Sequence, residues 1–180
     1  SKRFGGINGD GGISISIDSY GNLYVTGCFG SSTIDFGGGT LTNAGGLDIF
    51  IAKFDGNGNH LWSKRFGGSG GDLGHSVSVD SSGNIYLTGW FTSSTIDFGG
   101  GALTNAGGGD IFLARFDSNG NHIWSKRFGG SSDNQGFSVS VDSLGNVYGT
   151  GYFVSSNIDF GGCPLSNAGW MDIYLIKFAP

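Results

Sequence analysis

The hexapeptide Ser-Lys-Arg-Phe-Gly-Gly stands at residues 1, 63 and 125, which sets an internal period of 62 residues with no gaps. A period of this size means that one structural unit is stacked on copies of itself, so a fold for one unit must also be a fold for the joint between units. Residues 1–62 and 63–124 are roughly three-quarters identical, and residues 125–180 form a related third unit that stops some six residues early. The pattern is that of recent duplication.

Within a unit the apolar residues alternate. Ile13, Ile15 and Ile17 interleave with Ser14 and Ser16, and the pattern returns as Val77 and Val79 and as Phe137, Val139 and Val141. Period-two alternation predicts a strand with one apolar face. Gly21-Asn22, Gly83-Asn84 and Gly145-Asn146 then supply hairpin chemistry before a second strand. A third strand at 48–54, apolar at nearly every position, predicts burial on both faces. A fourth at 60–66 carries Trp62 and Phe66 on one side, with Lys64 and Arg65 suited to a solvated outer edge. The stretch 31–46 between the second and third strands predicts an extra short hairpin with Ile34, Phe36 and Leu41 as its contacts.

Composition bears on the alternative of disorder. The chain has 38 Gly among 180 residues, but 14% of it is aromatic and only 13% charged, too little charge for a solvated coil. All 14 acidic residues are Asp, and good helix formers are scarce. The expectation is all-β: three four-stranded antiparallel β-propeller blades, with the small Ser14 and Ser16 on the innermost strand where blades converge. The units are then blades at 1–62, 63–124 and 125–180, the third lacking its last strand.

The succession SISID-x-x-GN-LYVTG followed by DIFIAKFD-x-NGN-HLWSKRFGG resembles the bacterial SBBP β-propeller repeat, and more distantly the NHL repeat. The resemblance covers all three units and implies blades of secreted or cell-surface bacterial proteins, most without a known reaction. It implies an extracellular or cell-surface location here.

Propellers have about four to eight blades, and three cannot close a ring. The strand that the third unit lacks is the segment that opens the chain, Ser1, Lys2, Arg3 and Phe4 running on to Gly6. In a head-to-tail pair that segment completes the last blade of the other chain, and two chains give a six-bladed ring; an open filament or a fragment of a longer propeller are the other outcomes. The absence of an initiator Met predicts a processed or excised product. Cys28 and Cys163, in the first and last units, are candidates for an intermolecular disulfide across that junction, and two unpaired thiols are the alternative.

A net charge of −5 argues against nucleic acid, and no apolar run approaches the length that spans a bilayer, so neither partner is expected. Catalysis is not expected either: His60 and His122 are repeat equivalents, His75 replaces the core-facing Ile13, and the Asp residues recur as turns and strand ends. Asp55, Asn57 and Asn59, with Asp117, Asn119 and Asn121, alternate as calcium ligands do, although the closing acidic ligand is missing and the same residues suit hairpin turns. No other cofactor is expected. Trp90, Tyr152 and Trp170 stand where the units differ, and exposed aromatics among Asn and Asp make glycans or surface proteins candidate partners beside the chain itself. The same rings also suit packing between blades.

Overall fold

The structure, a computed structural model, describes residues 1–179. Pro180, with which the third unit ends, lies outside the described residues. Seventeen strands and no helix are formed among them. In the first unit these are β1 (Asp10–Ile17), β2 (Leu23–Phe29), β3 (Thr33–Asp35), β4 (Thr40–Thr42), β5 (Asp48–Phe54) and β6 (His60–Phe66). The second repeats them as β7 (Asp72–Val79), β8 (Ile85–Phe91), β9 (Thr95–Asp97), β10 (Ala102–Thr104), β11 (Asp110–Phe116) and β12 (His122–Phe128). The third has β13 (Asn134–Val141), β14 (Val147–Phe153), β15 (Asn157–Ile158), β16 (Leu165–Ser166) and β17 (Asp172–Phe178).

Each unit makes one antiparallel main sheet and one small hairpin. The sheet orders are β1-β2-β5-β6, β7-β8-β11-β12 and β13-β14-β17, and β3-β4, β9-β10 and β15-β16 are the hairpins predicted between the second and third strands. Four strands per sheet hold for the first two. The third sheet has three, which leaves the outer edge of β17 without a strand among the described residues.

The hairpin turns are built by their aspartates. Asp18 Oδ1 accepts hydrogen bonds from the backbone N–H of Tyr20 and Asn22, and Oδ2 accepts from Asn22 Nδ2 and the Tyr24 hydroxyl. Asp80 and Asp142 do the same in the other units. Burial opposes ionisation of Asp18, but the donors of Asn22, Tyr20 and Tyr24 outweigh it and hold the carboxyl below its ordinary range. Tyr24, desolvated and facing that carboxylate, is pushed well above the ordinary phenol range.

The first strand departs from simple alternation. Its register with β2 slips between Gly12 and Ser14, and the same slip occurs at Gly74/Ser76 and Gly136/Ser138. Ile13, His75 and Phe137 are therefore the extra residues of β-bulges. The expectation that His75 takes a core-facing place is corrected by this: Ile13 is largely exposed, and the His75 ring lies against Phe137 with Nδ1 3.0 Å from the Gly136 carbonyl. Glycine is required opposite the bulge, because a Cβ on Gly27 or Gly89 would collide with the carbonyl of Gly11 or Leu73.

Burial lowers the His75 pKa and the Gly136 hydrogen bond opposes that only in part, so the folded protein binds a proton there less readily than the unfolded chain. Its contribution to stability is complete above about pH 6.5 and declines as pH falls below it. His75→Phe, the residue of the third unit, should flatten the fall in urea midpoint between about pH 6.5 and 5. An undiminished slope in that window would assign the effect elsewhere. The lowered carboxyls, Asp18 among them, act only in more acid solution.

Candidate assembly interface

Most of the apolar core lies between sheets, and a further cluster packs Ile34 and Phe36 of the first unit's hairpin on Phe29, Phe50 and Phe54 of its own sheet. One cluster joins Tyr24, Ile49, Ile51 and Phe66 of the first sheet to Val77, Ile85, Leu87, Phe112 and Phe116 of the second and to Ile96 and Phe98 of its hairpin. The next joins Tyr86, Ile111, Leu113 and Phe128 to Val139, Val147, Phe153, Ile158 and Tyr174. One sheet thus presents a Tyr, two aliphatics from its third strand and a Phe from its fourth. The next sheet receives them on its first three strands and its hairpin. The continuous apolar character of β5, buried at every position, follows from this two-sided packing.

Polar contacts tie the same joints. Ser14 Oγ accepts from Val77 N, and Ser76 Oγ accepts from Val139 N, so the small residues of the inner strands bond the neighbouring backbone. Lys53 Nζ and Trp62 Nε1 both donate to the Ser118 carbonyl in the second sheet's outer turn. Arg65, expected on a solvated outer edge, is only partly exposed, and so is its repeat equivalent Arg127. Each donates to an aspartate with a fully buried side chain, Asp48 at 2.9 Å and Asp110 at 2.8 Å. The second oxygen of each aspartate has no hydrogen-bond partner, and the first also accepts from the backbone N–H of Ala44 or Ala106, so the guanidinium and that N–H together offset the burial of the carboxylate. Charge pattern alone hid this pair. The recurrence of Asp and Arg 17 residues apart in successive units was the available signal.

Two faces of this scheme stay open. On the third sheet, Ile173 is 82% exposed where its equivalent Ile111 is 1% exposed, and Leu175 is likewise exposed where Leu113 is buried. On the first sheet, Ile15 is 60% exposed where Val77 is 5% exposed. Ile15, Leu23, Val25 and Phe54 line an open groove there together with Lys2 and Phe4. The third sheet offers the presenting set, and the first sheet offers the receiving one.

The segment Ser1–Phe4 is already seated on the receiving face. Phe4 lies 5.1 Å from Phe36 and 5.5 Å from Phe54, ring to ring, as Phe66 lies 4.9 Å from Phe98 and 5.4 Å from Phe116. Gly6 N donates to Asp10 Oδ2 as Gly68 N donates to Asp72 Oδ2. Lys2 Cε stands over Gly58 as Lys64 Cε stands over Gly120. These residues therefore occupy the place of a preceding sheet's fourth strand, without a sheet beside them. Of the four assembly residues read from the sequence, Ser1, Lys2 and Phe4 line the groove on this face.

The other predicted sites are placed differently. Asp55 Oδ1 accepts from Asn57 N and Asn59 N and Oδ2 from Asn59 Nδ2, and Asp117 is satisfied in the same way by Asn119 and Asn121. The side-chain and backbone donors of Asn59 hold the Asp55 carboxyl below its ordinary range. These are turns, and among the described residues no three His, Cys, Asp or Glu side chains gather as for a metal ion. Cys28 is buried and Cys163 exposed, both as free thiols. Cys28 shares its strand face with Tyr24 and Thr26, which face the second sheet, and so it points away from the open receiving face. Trp90 lies against Gly109, Tyr152 packs edge-on to Phe137, and Trp170 is exposed in the loop before β17. His60 and His122 bond Ser63 and Ser125 at the start of the fourth strands.

A family model described as the SBBP beta-propeller repeat matches residues 61–94 and 123–161. Each match runs from a fourth strand through the first two strands of the next sheet, so the matched repeat straddles a joint. The chain is 24% identical over 162 residues to a WD repeat-containing protein of Acanthamoeba polyphaga mimivirus, covering 82% of this chain and 12% of that protein. It is 26% identical over 139 residues to the regulatory protein FlaEY of Caulobacter vibrioides, covering 75% of this chain and 14% of that one. The chain thus spans about an eighth of the length of these curated relatives. With its antiparallel sheets, it is an all-β protein with two segments that match a β-propeller repeat.

Proposed function

We propose that the chain is a structural, self-assembling β-propeller repeat protein without catalytic duty, working outside the cell, whose copies join head to tail. In this reading two chains complete a six-bladed ring. The observation that carries it is the seating of Ser1–Phe4 against the first sheet, in the place that a preceding sheet's fourth strand would take, while the third sheet carries the apolar set that such a strand would accompany. Joined as the internal sheets are, β17 of one copy pairs with Ser1–Phe4 of the next, and Ile173 and Leu175 enter the groove beside Ile15. Heterologous contacts of this kind close when the rotation per chain allows and otherwise run on.

Support for a structural duty comes from how the polar residues are used. The recurring Asp, Asn and Ser side chains are spent on turns and joints in every unit. Light scattering of the intact chain over a dilution series tests the assembly. A concentration-dependent species of twice the 18.6 kDa chain mass is expected. Large open-ended species would replace the ring by a filament, and a monomer throughout would overturn self-assembly.

A further inference from the structure

We infer that the joint between copies is closed by an apolar latch that the internal joints lack, Trp170 of one copy against Ile7 of the next; the inference rests on the head-to-tail reading above. At the first internal joint the loop before the third strand touches the loop leading into the next sheet. A Cβ on Gly45 would strike the Ser69 backbone, and one on Gly46 would lie 2.6 Å from the Gly70 carbonyl oxygen. Gly46 N also donates to that carbonyl at 3.1 Å. At the second joint Gly107 meets Ser131 and Gly108 meets Asp133 in the same manner. Glycine is what lets these loops approach.

In the third unit the corresponding residues are Gly169 and Trp170, and in the first unit the places of Ser69 and Gly70 are held by Ile7 and Asn8. Trp170 is 84% exposed and Ile7 95% exposed. The two departures from the repeat thus fall on opposite sides of one joint, the joint between copies. An indole cannot enter the space of a hydrogen atom, so this joint must stand further apart at that rim than the internal ones do. A large aliphatic residue in place of a serine fills the gap so made. Packing an otherwise exposed Trp on an otherwise exposed Ile removes apolar area from water on both sides.

The consequence is specificity. The internal joints of different copies are alike, because most of their contact residues are the same or similar in kind. A wide joint filled by Trp170 and Ile7 marks the ends of the chain as partners for each other, and the indole is rejected by the glycine-tight loops of an internal joint.

Two measurements test the latch. In chains with Cys28 and Cys163 replaced by alanine, an Ile7→Cys variant and a Trp170→Cys variant are mixed and mildly oxidised. A covalent two-chain species should form in the mixture and in neither variant alone. Separately, Trp170→Gly should weaken pairing at least tenfold by light scattering. Assembly of unaltered strength in Trp170→Gly, or a wild-type dimer whose mixed cysteine variants remain dimeric yet do not cross-link, overturns the latch and leaves self-assembly standing. A wild-type monomer at every concentration overturns self-assembly and the latch with it.

Discussion

Replacing Arg3 by aspartate should abolish the pairing of copies, and adding Asp172→Arg should restore much of it. Arg3 corresponds to Arg65 and Arg127, and Asp172 to Asp48 and Asp110, the pairs held at 2.9 and 2.8 Å inside the chain. In those pairs the aspartate is fully buried while the arginine side chain keeps about 30% exposure. Removing one partner from a desolvated, hydrogen-bonded charge pair costs roughly 2–5 kcal/mol, and the exposed guanidinium argues for the lower half of that range. About 2–3 kcal/mol is some 30- to 150-fold in dissociation constant, and reversal adds repulsion to the loss. Dilution light scattering reads the single and the double variant. Equal loss in both would mean that Arg3 and Asp172 do not meet. The corresponding change at Arg65 should instead lower the stability of each folded chain, since its partner Asp48 lies in the same sheet.

Phe98→Ala should be the most damaging of the core truncations, by about 3–5 kcal/mol. Phe98 is buried at the first joint, with ring centroids 4.9 Å from Phe66, 4.8 Å from Phe112 and 6.3 Å from Phe116. It belongs to the second unit's hairpin but its neighbours come from two sheets, so the cavity would open where the sheets adhere. Against a total stability of roughly 5–15 kcal/mol that loss is a large fraction. Phe36→Ala removes the equivalent ring from the first unit, where the preceding sheet is represented only by the half-buried Phe4. Phe36 is itself buried, but the cover on that side is Phe4 alone, so the site relaxes more easily and the cost to the single chain should be clearly smaller. Urea unfolding of both variants checks the order. Equal costs would mean that the joints do not carry the core.

The period of 62 residues, the four strands of a complete unit and the inserted hairpin were legible in the sequence because alternation and Gly-Asn turns leave local marks. Phe66 and Trp62 on one side of β6 were legible for the same reason, and both meet the second sheet. The bulge at Ile13 was not legible, because alternation counts residues and a bulge alters the count through backbone geometry. Arg65 was misread as rim for a related reason. Its partner Asp48 lies 17 residues away across a strand pair, and no local charge pattern reports a desolvated carboxylate. Ser14 was read as small, and its hydroxyl's bond to the Val77 N–H is a property of the joint. What the sequence left hidden sits partly inside a sheet, as the bulge and the Arg65–Asp48 pair, and partly where one unit meets another, as the Ser14 bond.

Because most of the core lies between sheets, a lone unit would have two bare faces and an interior limited to its hairpin packed on its own sheet. Each unit added to a row buries one more joint of nearly the same composition and orders one more stretch of nearly the same length. The balance of folding therefore changes little per unit added, and gene segments encoding whole units can be gained or lost by unequal recombination with slight effect on foldability. Length in such a lineage is a matter of counting, and natural variants differing by whole multiples of 62 residues would be its genetic trace.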